Sequence, residues 1–163
     1  YLAFHDSLTG LKNRAAFNET LKQVLDKRRG ITALLMIDLD NFKLVNDYFG
    51  HDCGDQLLRQ VAQVINRLIG KGNIAFRWGG DEFMIIMPET TQEEAERLAR
   101  KIIATLQDTF SRLKLEEANI TASIGLSFAP KHGLDPETLC KKADYALYAS
   151  KEKGKNQYQI FTA

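Results

Sequence analysis

The chain predicts an α/β sandwich, one sheet with helices packed against it, on three observations. Apolar runs of strand length alternate with apolar residues at helical spacing along its 163 residues. The order they give is strand, helix, strand, strand, helix, strand, with an extra helix ahead and a helix–strand unit behind. The only three prolines, Pro88, Pro130 and Pro136, fall at element edges, and neither repeats nor low-complexity segments interrupt the pattern. This length carries one domain with a full core rather than two, so residues 1–163 are read as a single domain with 1–10 as its leading segment.

Each element has its own signal. Ser7 to Gly10 reads as a turn. Asn13 to Arg29 places Phe17, Leu21, Val24 and Leu25 at helical spacing and ends near Gly30. Ile31 to Ile37 is a near-continuous apolar run of strand length that leads into Asp38-Leu39-Asp40. A helix over about Cys53 to Ile69 turns Leu57, Leu58, Val61, Val64, Ile65 and Leu68 inward. Ile74-Ala75-Phe76 and Phe83 to Met87 read as buried strands joined by a Gly79-Gly80 hairpin turn. Thr91 to Leu113 is helical, with Thr91 and Glu94 spaced as a capping box. Ile120 to Phe128 alternates as a strand. Asp135 to Lys153 is the last helix, with Asp135 as cap and Pro136 at its first position. Tyr158 to Phe161 closes as a short strand. The core order is the βαββαβ pattern of ferredoxin-like sandwiches, which host many activities.

Composition narrows the classes. With 44% hydrophobic and 26% charged residues the chain is an ordinary globular sequence, and a net charge of +1 provides no global field toward nucleic acid or membrane. Any anion binding must be local. Cys53 and Cys140 form no C-x-x-C pair, which argues against structural zinc and a disulfide scaffold and for a reducing, cytoplasmic setting. There is no apolar run of membrane-spanning length and no signal-peptide pattern. The chain begins at Tyr1-Leu2-Ala3-Phe4 without a methionine, which fits a piece of a longer protein.

The chemistry concentrates in acids at strand ends. Asp81 and Glu82 follow Gly79-Gly80, so the hairpin presents paired carboxylates at a tip where glycine lets a ligand approach the backbone. Taken alone, an ordinary solvated turn explains that stretch equally well. Asp38 and Asp40 are two apart on a strand and share a face. In a ferredoxin-like sheet the first core strand is central and lies beside the hairpin strand, which would bring Asp38 toward Asp81 and Glu82. Clustered carboxylates raise one another's pKa unless a cation neutralises them, and oxygen ligands favour Mg²⁺ or Mn²⁺. Three acids at two strand ends make simple strand capping the weaker reading. A tight turn at Asn41-Phe42-Lys43 would offer backbone N–H groups to phosphate. Asn46 and Asp55 suit a guanine edge: a carboxylate accepts from guanine's N1–H and N2–H₂, an amide matches O6 or N3, and adenine lacks that donor pair. Singly, Asn46 as a helix-end residue and Asp55 as a cap explain as much.

Together these blocks resemble the GGDEF family of diguanylate cyclases, which are similar in core fold to nucleotide cyclases and polymerase palm domains. The blocks are Asp6-Ser7-Leu8-Thr9-Gly10-Leu11-Lys12-Asn13-Arg14, Asp38-Leu39-Asp40-Asn41-Phe42-Lys43, Asn46-Asp47, Gly50-His51, Gly54-Asp55, Arg77 to Phe83 and Ala143 to Tyr148, in the family's order across nearly the whole chain. The resemblance implies condensation of two GTP into cyclic di-GMP and two pyrophosphates. It implies two Mg²⁺ (or Mn²⁺) ions held by Asp38, the Leu39 carbonyl and Asp81, with Glu82 near them. Asp81 falls where the 3′-OH proton is taken, Asn46 and Asp55 where guanine is read, and Phe42 and Lys43 on the phosphate-contacting turn. Gly79 and Gly80 fall on the substrate hairpin, and Lys151 and Lys155 match the basic phosphate ligands. A symmetric product from chains that each bind one GTP implies a homodimer, and such domains commonly follow a sensory domain.

Two departures stand out. Gly154-Lys155-Asn156 has lysine where the family usually has arginine, which keeps the charge and loses the bidentate fork. The stretch Gly70-Lys71-Gly72-Asn73 lacks both residues of the family's Arg-x-x-Asp feedback motif, so no tight product inhibition is expected there. His51 is read as structural, Trp78 as packing beside the sheet, Asp6 and Arg14 as positioning the first helix, Lys153 as solvated, and Tyr145 and Tyr148 as core residues. The competing functions are a GTP-binding regulatory module without turnover and a cyclase of hybrid product. The intact acids favour an active enzyme, and Asp55 favours guanine.

Overall fold

The central strand, β1 (Ile31–Asp40), is buried on both faces, and that explains its continuous apolar run. The structure is a computed structural model and describes residues 3–162; the outermost residues of the expected domain, 1, 2 and 163, lie outside the described residues. Around β1 stand β2 (Ile74–Gly79), β3 (Glu82–Thr90), β4 (Thr121–Ala129) and β5 (Tyr158–Ile160), in the order β2-β3-β1-β4-β5. All pairings are antiparallel except β4 with β5. This is the expected ferredoxin-like core with one added edge strand.

Two helical layers cover the sheet. On one face Ala33, Leu35, Ile37 and Leu39 pack against α3 (His51–Leu68) and α4 (Gln92–Arg112). On the other, Leu34 and Met36 meet α1 (Arg14–Asp26) and α5 (Pro136–Glu152). The expected caps Thr91 and Asp135 accept from the N–H groups of Glu94 and Thr138 at 3.1 and 2.9 Å, and Asn13 caps α1 in the same way, accepting from Ala16 at 3.1 Å. Phe17 holds α1 down between the edges of Phe76 and Trp78, with centroids at 5.1 and 4.8 Å. α5 lies directly on the sheet: a Cβ built on Gly125 of β4 would stand 2.2 Å from both the Ala143 carbonyl oxygen and the Leu147 nitrogen. No helix among the described residues is long and apolar enough to cross a membrane.

Three expectations change. A separate helix, α2 (Phe42–Phe49), follows β1 where only a turn was expected, and Gly50 at φ +89° breaks it from α3, which starts two residues early. The hairpin turn is Gly80-Asp81, because Gly79 still pairs with Glu82 across a bulge. Tyr145 and Tyr148 are 60% and 64% exposed rather than core, because α5 buries a stripe of Leu139, Ala143, Ala146, Leu147 and Ser150 instead.

Candidate active site

The end of β1 and the tip of the β2–β3 hairpin meet. Asp38 pairs across the sheet with Glu82, and the Leu39 N–H donates to the Asp81 carbonyl at 3.2 Å. A strand residue turns its N–H and C=O to the same side, so the Leu39 carbonyl also faces the hairpin. The acids press on one another. Burial first, then the charge of Asp38, pushes the Asp81 carboxyl up to about 6 from 3.8. Glu82 is raised too, by burial, then by Asp38 and by Asp144 on α5, against the pull of Lys151 and Arg14.

The lysine at the end of α5 answers this charge. Lys151 Nζ lies 2.8 Å from Asp38 Oδ2 and 3.2 Å from Asp40 Oδ1. Burial works against its charge, but the bonds to the two aspartates outweigh it and raise its pKa. The other Asp38 oxygen, Oδ1, is buried without a hydrogen-bond partner, as is Asn156 Oδ1 in the turn after α5.

The tip is braced from outside. Arg77 donates from Nε and Nη2 to the Gly80 carbonyl at 3.2 and 2.8 Å, and from Nη1 to Asp6 at 3.1 and 3.3 Å. Burial opposes the Asp6 charge, but hydrogen bonds from Thr9 and Arg77 prevail and lower its pKa. Asp6 therefore ties the leading segment to the hairpin rather than to α1, a link spanning 71 positions that no local pattern signals. Arg14 does serve the first helix, lying 4.6 Å over the Trp78 ring.

The second constellation lies on α2 and α3. Gly54 is buried, and a Cβ there would fall 1.9 Å from Asn46 Oδ1 and 3.3 Å from Phe42 Cζ, so the bare glycine lets both side chains rest on α3 beside Asp55. Asn46 and Asp55 are half-buried and Lys43 is exposed. Asn41, at φ +63°, makes no side-chain cap, and Lys155 Nζ reaches its Oδ1 at 3.5 Å. The sites of Gly79 and Gly80 are exposed at the hairpin tip. His51 is an exposed first residue of α3, and Lys153 is solvated as expected. In the Gly70-to-Asn73 loop, Asn73 folds back onto the Ile69 carbonyl at 2.6 Å.

The donors suit a hard divalent cation. A buried Asp38 oxygen without a partner, a carbonyl and mutually repelling carboxylates are relieved by one. Among the described residues no three His, Cys, Asp or Glu side chains form a ready metal cage. A shell of few protein ligands is completed by water and phosphate oxygens, as Mg²⁺ prefers. Sequence reasoning named Asp40 beside Asp38 but gave it no role in the site, because its residue type is visible and its complete burial is not.

A family model described as "Diguanylate cyclase, GGDEF domain" matches residues 3–157. The chain is 38% identical over 162 residues to the cyclic di-GMP phosphodiesterase PdeR of Escherichia coli (strain K12), covering 99% of this chain and 24% of that protein. It is 34% identical over 161 residues to the diguanylate cyclase DgcS of Shewanella oneidensis, covering 97% of this chain and 53% of that one. The GGDEF domain of DgcB from Caulobacter crescentus, solved in complex with c-di-GMP, matches at a TM-score of 0.87 and 33% identity, covering 99% of this chain and 97% of that one. The chain thus spans a quarter to a half of these curated relatives.

Proposed function

We propose, from the premise that the chain belongs to the GGDEF family of diguanylate cyclases, that it condenses two GTP into cyclic di-GMP and two pyrophosphates. The observation that carries this reading is the meeting of Asp38 with the Asp81-Glu82 tip, where a buried carboxylate oxygen has no partner and Asp81 is pushed up to about 6. Asp38, the Leu39 carbonyl and Asp81 are the residues we assign to two Mg²⁺ ions, with Glu82 beside them. When bound, Mg²⁺ lowers the pKa of the attacking 3′-OH and neutralises charge on the leaving pyrophosphate. Asp81 accepts the 3′-OH proton. Asn46 and Asp55 read the guanine edge, while Phe42, Lys43 and the Gly79-Gly80 backbone seat the phosphates. Lys151 and Lys155 place positive charge at the pyrophosphate. Each chain holds one GTP, so turnover takes place across a homodimer, and in the full-length protein a sensory domain precedes this one.

A second reading, a GTP-binding regulatory domain without turnover, draws on one finding. Relatives named as cyclic di-GMP phosphodiesterases match 99% of this chain at 38 and 39% identity. Incubation with GTP and Mg²⁺, with and without ATP, followed by product identification separates the readings. Cyclic di-GMP is expected, with synthesis abolished in Asp81→Asn; bound but unconverted GTP sinks the enzyme reading. Gly54→Ala, whose Cβ would occupy the place of Asn46 Oδ1, is expected to raise KM for GTP about tenfold with kcat less affected. Unchanged KM would remove Asn46 from guanine recognition.

A further inference from the structure

Asp40 is the most completely enclosed acid near the site, its side chain 0% exposed, and every partner it has is a donor. Thr121 Oγ1 donates at 2.7 Å and Ser123 Oγ at 2.9 and 2.8 Å, both from β4. Lys151 Nζ donates at 3.2 Å from the last turn of α5, and the Asn156 N–H at 3.4 Å from the turn that follows. One carboxylate thus joins the end of β1 to β4, to α5 and to the segment carrying Lys155. An ammonium and a backbone N–H can only donate, so an amide in this place would turn an N–H₂ toward one of them or leave a donor unmet.

We propose that Asp40 is a positioning residue for Lys151, one of the two lysines assigned to the phosphates, a role that rests on the cyclase reading above. A lysine ammonium rides on a flexible four-carbon stem and is not aimed by its backbone. Here two acceptors aim it, and they differ in what they can keep. Asp38 is the acid assigned to the metal, so its 2.8 Å bond to Lys151 is the one given up when cation and nucleotide arrive. Asp40 is sealed from solvent by Thr121, Ser123 and Asn156 and retains its bond. Lys151 therefore stays tethered while its remaining N–H groups face the phosphates.

The test is a double-mutant cycle of Asp40→Asn and Lys151→Met, read by calorimetric binding of inorganic pyrophosphate with Mg²⁺ and of GTP with Ca²⁺, beside thermal melting of each variant. Asp40→Asn is expected to weaken pyrophosphate about tenfold in the wild-type background and by less than about twofold in the Lys151→Met background. A merely structural acid lowers the melting temperature and weakens binding equally in both backgrounds, and that additive result would overturn the proposal. Should Asp40→Asn fail to fold, Ser123→Ala replaces it in the cycle, with about a threefold loss that again vanishes with Lys151→Met; a loss that persists overturns the proposal. A wild type that binds neither probe overturns the cyclase reading and this role together, whereas wild-type binding with additive losses overturns the role of Asp40 alone.

Discussion

β1 ends between two unlike neighbours. On the hairpin side it faces Asp81 and Glu82, carboxylates raised by burial and by Asp38, with an Asp38 oxygen left unmatched. On the β4 side Thr121, Ser123, Lys151 and Asn156 all donate to Asp40. One side is saturated and holds the frame; the other is left short of positive charge. The contrast teaches that two aspartates two positions apart on one strand take opposite duties because of what stands across from them.

The largest effect is expected from breaking the saturated side. Gly125→Ala drives a Cβ into the α5 backbone, which sits 2.2 Å from that position. It should cost about 3 kcal/mol of stability and carry Lys151 out of place. Gly30→Ala, with nothing within 4 Å, should stay within about 0.5 kcal/mol. Denaturant unfolding checks both, and equal effects would remove the close-packing argument.

The charged side should respond in the other direction. Folding raises the Asp81 carboxyl from 3.8 to about 6, so its ionisation is penalised in the folded state. Its favourable contribution is complete below 3.8 and is lost as pH rises through about 6. Without metal, Asp81→Asn should therefore be more stable than the wild type by about 1 kcal/mol above that range, after discounting for solvent screening. The difference should disappear in acid, and a constant difference across pH would contradict the repulsion. The smallest effect belongs to Lys155→Arg, expected to tighten pyrophosphate binding about threefold by adding a planar fork. No change would mean that the lysine already serves the site fully.

What the sequence showed and hid follows from range. Strand and helix periods are local, so the sheet, its order and the caps at Thr91 and Asp135 were legible. The acids at the two strand ends were legible because their residue types carry their chemistry. The short helix α2 was not, since its eight residues bury only Val45 and give the apolar pattern too little to show. Tyr145 and Tyr148 misled because the buried stripe of α5 runs through Leu139, Ala143, Ala146, Leu147 and Ser150 and leaves both tyrosines outside it. Asp40 and Arg77 depend on partners 81 and 71 positions away.

The bare contact at Gly125 also sets a tolerance. Rotamers can absorb errors where side chains meet, but backbone seated on backbone leaves little play. Lys151 lies one helical turn beyond Leu147, about 6 Å along the axis. A tilt of about five degrees at the contact then moves the lysine's Cα by only about half an ångström. The helix acts as a short, stiff arm, and the accuracy with which its charge is delivered is settled by covalent geometry at a residue that has no side chain.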